Sequence, residues 1–179
     1  MRKMFVPVFM VLMFTAVTVS AQSSPDYNGT WVLDTQKTKL DGRIRIESMT
    51  LKIRDRVTEV TRETVTNRGG RGGGPSARGM GGGLGIRDGV ETFSMDGREK
   101  SIVEEGPRGP MRVRVRGKRE KDGRIVISTS RNLNVQMGEV EISTKETWSL
   151  SSDGKTLTVK AELSSPLGST SNQLVFYRQ

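Results

Sequence analysis

The residues available for catalysis are few, because the 179-residue chain contains neither histidine nor cysteine. Their absence removes the commonest general base near neutral pH, the cysteine nucleophile and the commonest metal ligand. Glu104 and Glu105 are adjacent, so on a β-strand they point to opposite faces and are poorly placed to act as a carboxylate pair. No spacing resembles a calcium-binding loop, and no Gly-x-Ser-x-Gly nucleophile elbow occurs. We therefore expect no enzymatic activity, no metal site and no cofactor.

One row of basic residues could bind an anion. Arg112, Arg114 and Arg116 alternate with valines, so on a strand the three arginines share one face, about 6.6 Å apart. Such a row could hold a polyanion, for example an acidic glycan, a lipopolysaccharide or a nucleic acid. The alternative is an outer face in water, where the arginines pair with neighbouring Glu and Thr side chains.

The segment 67–87 has an unusual composition, with ten glycines, four arginines and no acidic residue. It cannot bury enough apolar surface to offset the entropy of ordering, so we predict a disordered loop between two strands. Arginine-glycine tracts that bind RNA often include aromatic residues for base stacking, and this segment has none. We interpret it as a flexible insertion, with weak contact to an anionic surface as the alternative, and we do not expect nucleic acid as a partner.

Four aromatic residues are predicted to face the protein interior: Trp31, Phe93, Trp148 and Phe176. Core packing is the default role for large aromatic side chains, and contact with a bound ligand is the alternative. These four are the candidate ligand-binding residues.

The β-strands that would position these residues are predicted from the alternation of apolar and polar residues. Met49, Leu51 and Ile53, for example, alternate with polar residues. Alternation with period two places one face of a strand on a core and the other in water. Asp-Gly pairs are typical of hairpin turns in which both central residues take positive φ, and they occur at 41–42, 88–89, 96–97, 122–123 and 153–154. Ten strands are predicted, near residues 29–34, 46–55, 57–66, 90–95, 98–104, 111–119, 123–131, 139–150, 155–163 and 171–178. This all-β pattern predicts an antiparallel up-and-down barrel of eight to ten strands, with a β-sandwich as the alternative.

The N-terminal residues have the features of an export signal. Arg2 and Lys3 precede an apolar run, and Val19-Ser20-Ala21 supplies small residues at a cleavage site. We predict that residues 1–21 form a signal helix that is cleaved, with an uncleaved anchor as the alternative. Residues 22–179 would then be a single periplasmic or secreted domain without a membrane span. Its net charge would be 27 minus 20, or +7, and without cysteine it would be held by packing and strand pairing.

A family resemblance begins at Gly29-Thr30-Trp31, which is similar to the Gly-x-Trp that opens the first strand of lipocalins. In that family the tryptophan closes one end of an eight-stranded barrel and packs near an arginine from the last strand, a place that Arg178 would take. The chain also resembles a group of exported bacterial proteins of unassigned function, through this motif followed by Asp34 and Lys37, then Glu146-Thr147-Trp148-Ser149-Leu150, Asp153-Gly154-Lys155-Thr156-Leu157-Thr158 and Leu174-Val175-Phe176-Tyr177. The resemblance implies a small apolar molecule bound in the mouth of the barrel, although barrels of this size can instead be filled by their own side chains.

The leading hypothesis is therefore an exported, non-enzymatic, lipocalin-like barrel that carries a small apolar ligand. One alternative is a basic interaction module that binds an anionic surface or glycan of the cell envelope. Another is a structural envelope protein.

Overall fold

The computed structural model describes residues 25–41, 44–68, 84–106, 109–135, 138–166 and 168–179. The predicted signal peptide and residues 69–83 of the predicted loop lie outside these ranges. Ten β-strands occur in the described part: β1 (Gly29–Leu33), β2 (Ser48–Asp55), β3 (Glu59–Asn67), β4 (Gly89–Ser94), β5 (Asp96–Gly106), β6 (Gly109–Arg119), β7 (Ile125–Val135), β8 (Gly138–Leu150), β9 (Thr156–Ser165) and β10 (Gly168–Arg178). Each lies where the alternation predicts a strand. Among the described residues, no helix is long and apolar enough to cross a membrane.

The strands form one antiparallel sheet in the order β4-β3-β2-β1-β10-β9-β8-β7-β6-β5. Each pair of neighbours is consecutive in sequence except β1 and β10, which join through Trp31 opposite Arg178 and Leu33 opposite Phe176. The sheet curls into a nearly closed barrel. Its two outer strands, β4 and β5, follow each other along the chain, and Met95 links them. The predicted up-and-down barrel is confirmed, and the sandwich alternative is not adopted.

The two ends of the barrel differ in how they are covered. The closed end contains the start of β1, the end of β10 and the turns of the β2–β3, β6–β7 and β8–β9 hairpins. The segment before β1 crosses this end, and the Tyr27 hydroxyl reaches the carbonyl oxygens of Gly123, at 3.2 Å, and Trp148, at 3.1 Å. At the other end, the mouth, the β1–β2 connection folds inward, and Lys39 pairs with Gln173. Both ends are therefore covered by segments outside the strands.

The hairpin turns at Asp122-Gly123 and Asp153-Gly154 lie where they were predicted, but their geometry differs from the expectation. Only the glycines take positive φ, 82° at Gly123 and 67° at Gly154, and no non-glycine residue in the described ranges does. Each aspartate carboxylate instead accepts the backbone N–H two residues later. The turns therefore need one left-handed residue, which glycine supplies at little steric cost.

The barrel interior is packed with one continuous cluster of apolar side chains. The alternation places these side chains on the inner face, as in β9, where Leu157, Val159 and Ala161 are fully buried. The β1–β2 connection adds Leu40 and Ile44 from the mouth. Hydrophobic burial contributes roughly 25 cal/mol for each Å² of apolar surface removed from water, so this cluster can stabilise a fold that has no disulfide.

Of the predicted disordered loop, 67–87, Asn67 is the last residue of β3, and the last four residues, 84–87, are ordered. The side chains of Leu84 and Ile86 are completely buried and belong to the core cluster. Gly85 has a φ of 77°, and a β-carbon at this position would overlap the Thr144 side chain on β8. The prediction was wrong for this part because a glycine-rich composition concealed two apolar residues that alternate and can enter the barrel.

Candidate functional site

The four aromatic residues predicted to face inward are all buried. Trp31 and Phe176 lie toward the closed end, where the Trp31 indole N–H donates to the Tyr27 carbonyl at 3.0 Å. The Arg178 guanidinium lies 4.7 Å from the centre of the Trp31 ring, so the predicted tryptophan–arginine pair is confirmed. Such a cation–π contact stabilises by roughly 0.5–2 kcal/mol. These contacts give Trp31 a role in closing the barrel.

Tyr27 seals the closed end. Its side chain is fully buried, and the ring lies between Trp148, with ring centres 6.4 Å apart, and the Arg119 guanidinium, 5.9 Å from the ring centre. Burial raises the pKa of the Tyr27 hydroxyl to about 12, because the phenolate would lose its hydration inside the barrel. The phenol therefore stays protonated and can donate its hydrogen bond across the physiological range.

A buried ionic cluster, formed by Arg62, Glu146 and Glu91, lies in the middle of the interior. Arg62 is 1 % exposed, and its two terminal nitrogens each donate to a carboxylate, one from Glu146 and one from Glu91, both at 2.5 Å. Burial alone would lower the pKa of Arg62, but the charges of Glu146 and Glu91 raise it above its usual value. Arg62 is therefore a permanent cation held by two anions.

Aromatic rings surround this cluster on the closed-end side. The Arg62 guanidinium lies 5.4 Å from the ring centres of both Phe93 and Trp148. The Trp148 indole N–H donates to the same Glu146 carboxylate at 2.9 Å. Two of the four candidate ligand-binding residues thus form, with Arg62, a floor across the barrel.

The interior between this floor and the mouth, the upper interior, is more polar. Thr144 and Thr129 are opposite each other on β8 and β7 and face inward, and Thr64 on β3 is 1 % exposed. The hydroxyl oxygens of Thr64 and Thr129 are buried and have no hydrogen-bond partner among the described residues. A buried polar group without a partner costs roughly 1–3 kcal/mol. The upper interior therefore offers hydroxyl groups that can bind a polar atom.

A second group of charges lies at the mouth. Arg87 and Glu104 form an ion pair between the segment that precedes β4 and the outer strand β5. Arg131 on β7 shares the inward face with Val113 and Ile142 through its register. Burial and the charge of Arg87 lower the pKa of Arg131, while the nearby carboxylates of Glu104 and Glu91 oppose this shift. Arg131 is thus partly desolvated and lies close to another cation.

The predicted arginine row lies on the outer surface of β6. Arg112, Arg114 and Arg116 are all exposed and share one face, as predicted. Arg114 pairs with Glu141 and donates to Ser130 at 2.8 Å, so it follows the solvated alternative. Within the described ranges, Arg112 and Arg116 form no ion pair.

Sequence reasoning missed Arg62, Glu146 and Arg131, because charged residues in a strand are usually assigned to the water-facing side. Their positions relative to recognised core residues carried the signal. Glu146 is two residues before Trp148, and Arg131 shares its parity with Ile127. Assigning every second residue from a recognised core residue to the inner face of the strand would have located all three.

The interior offers apolar surface, hydroxyl groups, guanidinium groups and carboxylates. No group of three or more acidic side chains that could hold a metal ion occurs in the described part of the chain. Comparison of the sequence with protein-family models and with curated proteins finds no match.

Proposed function

We propose that the protein is an exported, non-enzymatic barrel that carries a small, mainly apolar molecule in its upper interior, in the periplasm or outside the cell. The observation that carries this proposal is that the side chains that fill this space come from a segment outside the β-strands. Leu84 and Ile86 come from a coil segment, whereas the floor is built from strand residues. Coil segments open locally more readily than strands, so a ligand can take their place without dismantling the barrel.

The lining of the upper interior supports a ligand with a polar end. Thr64, Thr129 and Thr144 supply hydroxyl groups, and Phe93 and Trp148 limit the depth at the floor. Of the four candidate ligand-binding residues, Phe93 and Trp148 therefore lie below the proposed site, with the Arg62 guanidinium between them and the ligand. Trp31 and Phe176 act at the closed end.

The test uses residues 22–179 and N-phenyl-1-naphthylamine, a neutral apolar dye whose emission rises in apolar surroundings. Thr144→Phe fills the upper interior and should weaken dye binding at least tenfold. Thr147→Phe, on the outer face of the same strand, is the matched control and should leave binding unchanged. The double variant Leu84→Ser/Ile86→Ser removes the internal occupant and should bind the dye at least tenfold more tightly, since each apolar side chain contributes about 1.5–3 kcal/mol when buried. Dye binding that none of these variants alters, or no binding at all, would refute the carrier proposal.

We propose as a second function that the outer face of β6 binds an anionic surface or glycan. Arg112 and Arg116 favour it, because both are exposed without an ion pair in the described structure. Arg112 lies opposite the uncharged Val103 on β5, whereas Arg116 lies opposite Ser128 on β7 and Glu99 on β5. The double variant Arg112→Gln/Arg116→Gln should release the protein from a heparin column at lower salt than Arg114→Gln, whose arginine is already paired with Glu141. Equal elution of the two variants would count against this function.

A further inference from the structure

Arg131 is a partly buried cation inside the barrel, and the carboxylates of Glu104 and Glu91 lie near enough to attract it. Its side chain faces inward between those of Val113 on β6 and Ile142 on β8. Its guanidinium forms no ion pair or hydrogen bond with any described residue. Removing a charge from water is costly unless it is paired, so an anion that reached Arg131 would offset a cost that the fold already bears.

This part of the interior holds three arginines and three glutamates, but their direct contacts are uneven. Arg62 holds two carboxylates, Glu146 and Glu91, and Arg87 holds Glu104. Arg131 has no such direct contact with a described carboxylate: the charge of Arg87 disfavours its protonated form, whereas the charges of Glu104 and Glu91 favour it. An anion placed beside Arg131 would therefore form a direct ion pair with a guanidinium that has none among the described residues.

A second feature points to the same place. Thr129 is two residues before Arg131 on the same inward face of β7, and its buried hydroxyl oxygen has no hydrogen-bond partner in the part of the chain that the structure describes. A guanidinium presents several N–H groups in a fixed fork that suits a carboxylate, and a threonine hydroxyl can donate one further hydrogen bond. Together they form a recognition site for the acidic end of a molecule whose body lies in the upper interior.

We propose that Arg131, assisted by Thr129, binds the carboxylate of an amphipathic monocarboxylic acid whose apolar chain takes the space of Leu84 and Ile86. This inference rests on the proposed carrier function and names its ligand class. A singly charged carboxylate fits better than a doubly charged phosphate monoester, because Glu91 and Glu104 lie near enough to repel additional negative charge.

The test compares decanoate with decanol, which share one chain length, by displacement of N-phenyl-1-naphthylamine at pH 7.5. The wild-type protein should bind decanoate at least tenfold more tightly than decanol, as expected for a charge-assisted hydrogen bond. Arg131→Gln should remove this preference while leaving decanol affinity within about twofold, a result that also shows that the variant is folded. Arg112→Gln is the matched control, because Arg112 is an exposed arginine on the neighbouring strand β6. It should leave the affinities for decanoate and decanol unchanged.

The possible results separate the two proposals. If decanol binds and decanoate binds no better, or if Arg131→Gln keeps the preference, the carboxylate site is refuted and the carrier function stands. If neither amphiphile displaces the dye and neither alters the thermal unfolding of the protein, both proposals fail. Decyl phosphate serves as a third ligand, and tenfold tighter binding of it than of decanoate would overturn the assignment to a monocarboxylic acid.

Discussion

Replacing Arg62 with leucine should destabilise the barrel severely. The guanidinium is 1 % exposed, and its removal leaves the carboxylates of Glu146 and Glu91 without a cation beside them. Breaking a buried ion pair by removing one partner costs about 3–5 kcal/mol. The cation–π interactions of Arg62 with Phe93 and Trp148 each stabilise by roughly 0.5 kcal/mol or more, and the variant has neither. We expect the free energy of unfolding to fall by at least about 4 kcal/mol, a large part of the roughly 5–15 kcal/mol typical of a folded domain.

Urea unfolding followed by tryptophan fluorescence measures this decrease, since Trp148 lies against the substituted side chain. With a slope of about 2 kcal/mol per molar urea, the midpoint should fall by roughly 2 M. The triple variant Arg62→Leu/Glu91→Gln/Glu146→Gln removes the unpaired charges, keeps an acceptor for the Trp148 indole, and should recover at least half of the decrease. A decrease below about 1 kcal/mol in the single variant would contradict the assigned role of the ionic cluster. A triple variant as unstable as the single one would show that packing, and not charge, is responsible.

Two further substitutions test the closed end and the coil segment. The raised pKa of Tyr27, about 12, means that the folded state holds this proton more tightly than the unfolded chain does. Its contribution to stability is present below pH 10 and disappears as the pH rises toward 12, so Tyr27→Phe should show less alkaline destabilisation between pH 10 and 12 in thermal unfolding. Gly85→Ala should lower the free energy of unfolding by about 1–3 kcal/mol more than Gly154→Ala, because both glycines have positive φ but only the first would overlap Thr144. Equal decreases in the two alanine variants, measured by urea titration, would show that the coil segment is not held inside the barrel.

The strands could be predicted from sequence because burial on one face imposes a period of two. The alternation identified all ten, but it set the mouth ends of several strands too short. Ser165 and Gly168, for example, pair with each other at the end of the β9–β10 hairpin, beyond the predicted strand limits. Backbone pairing continues there without an apolar side chain to mark it, and such pairing leaves no pattern in the sequence.

The site was less predictable, because its central residues contradict the rule that charge faces water. On β3, Val60 and Arg62 are buried while Val65 is 61 % exposed, so apolar character alone does not decide the inner face of this strand. The register with β2 decides the matter, since Arg62 lies opposite Ile53. Glu91 lies directly opposite Arg62 on the neighbouring strand β4, but Glu146 lies on β8, which only the closure of the barrel brings close to β3. Pairing across that distance depends on the fold and cannot be read from one strand.

The position of the β1–β10 pair has a consequence for how the chain could be divided. Apart from the β1–β10 pair, strands β1 to β4 pair in sequence order within one stretch of chain, and β5 to β10 do the same within the next. If the chain were broken after Met95, the β1–β10 ladder would join the two fragments. Each of the other strand pairs would lie within one fragment. Two separately produced halves should then reassemble in solution, with Trp31 of one half stacking against Arg178 of the other.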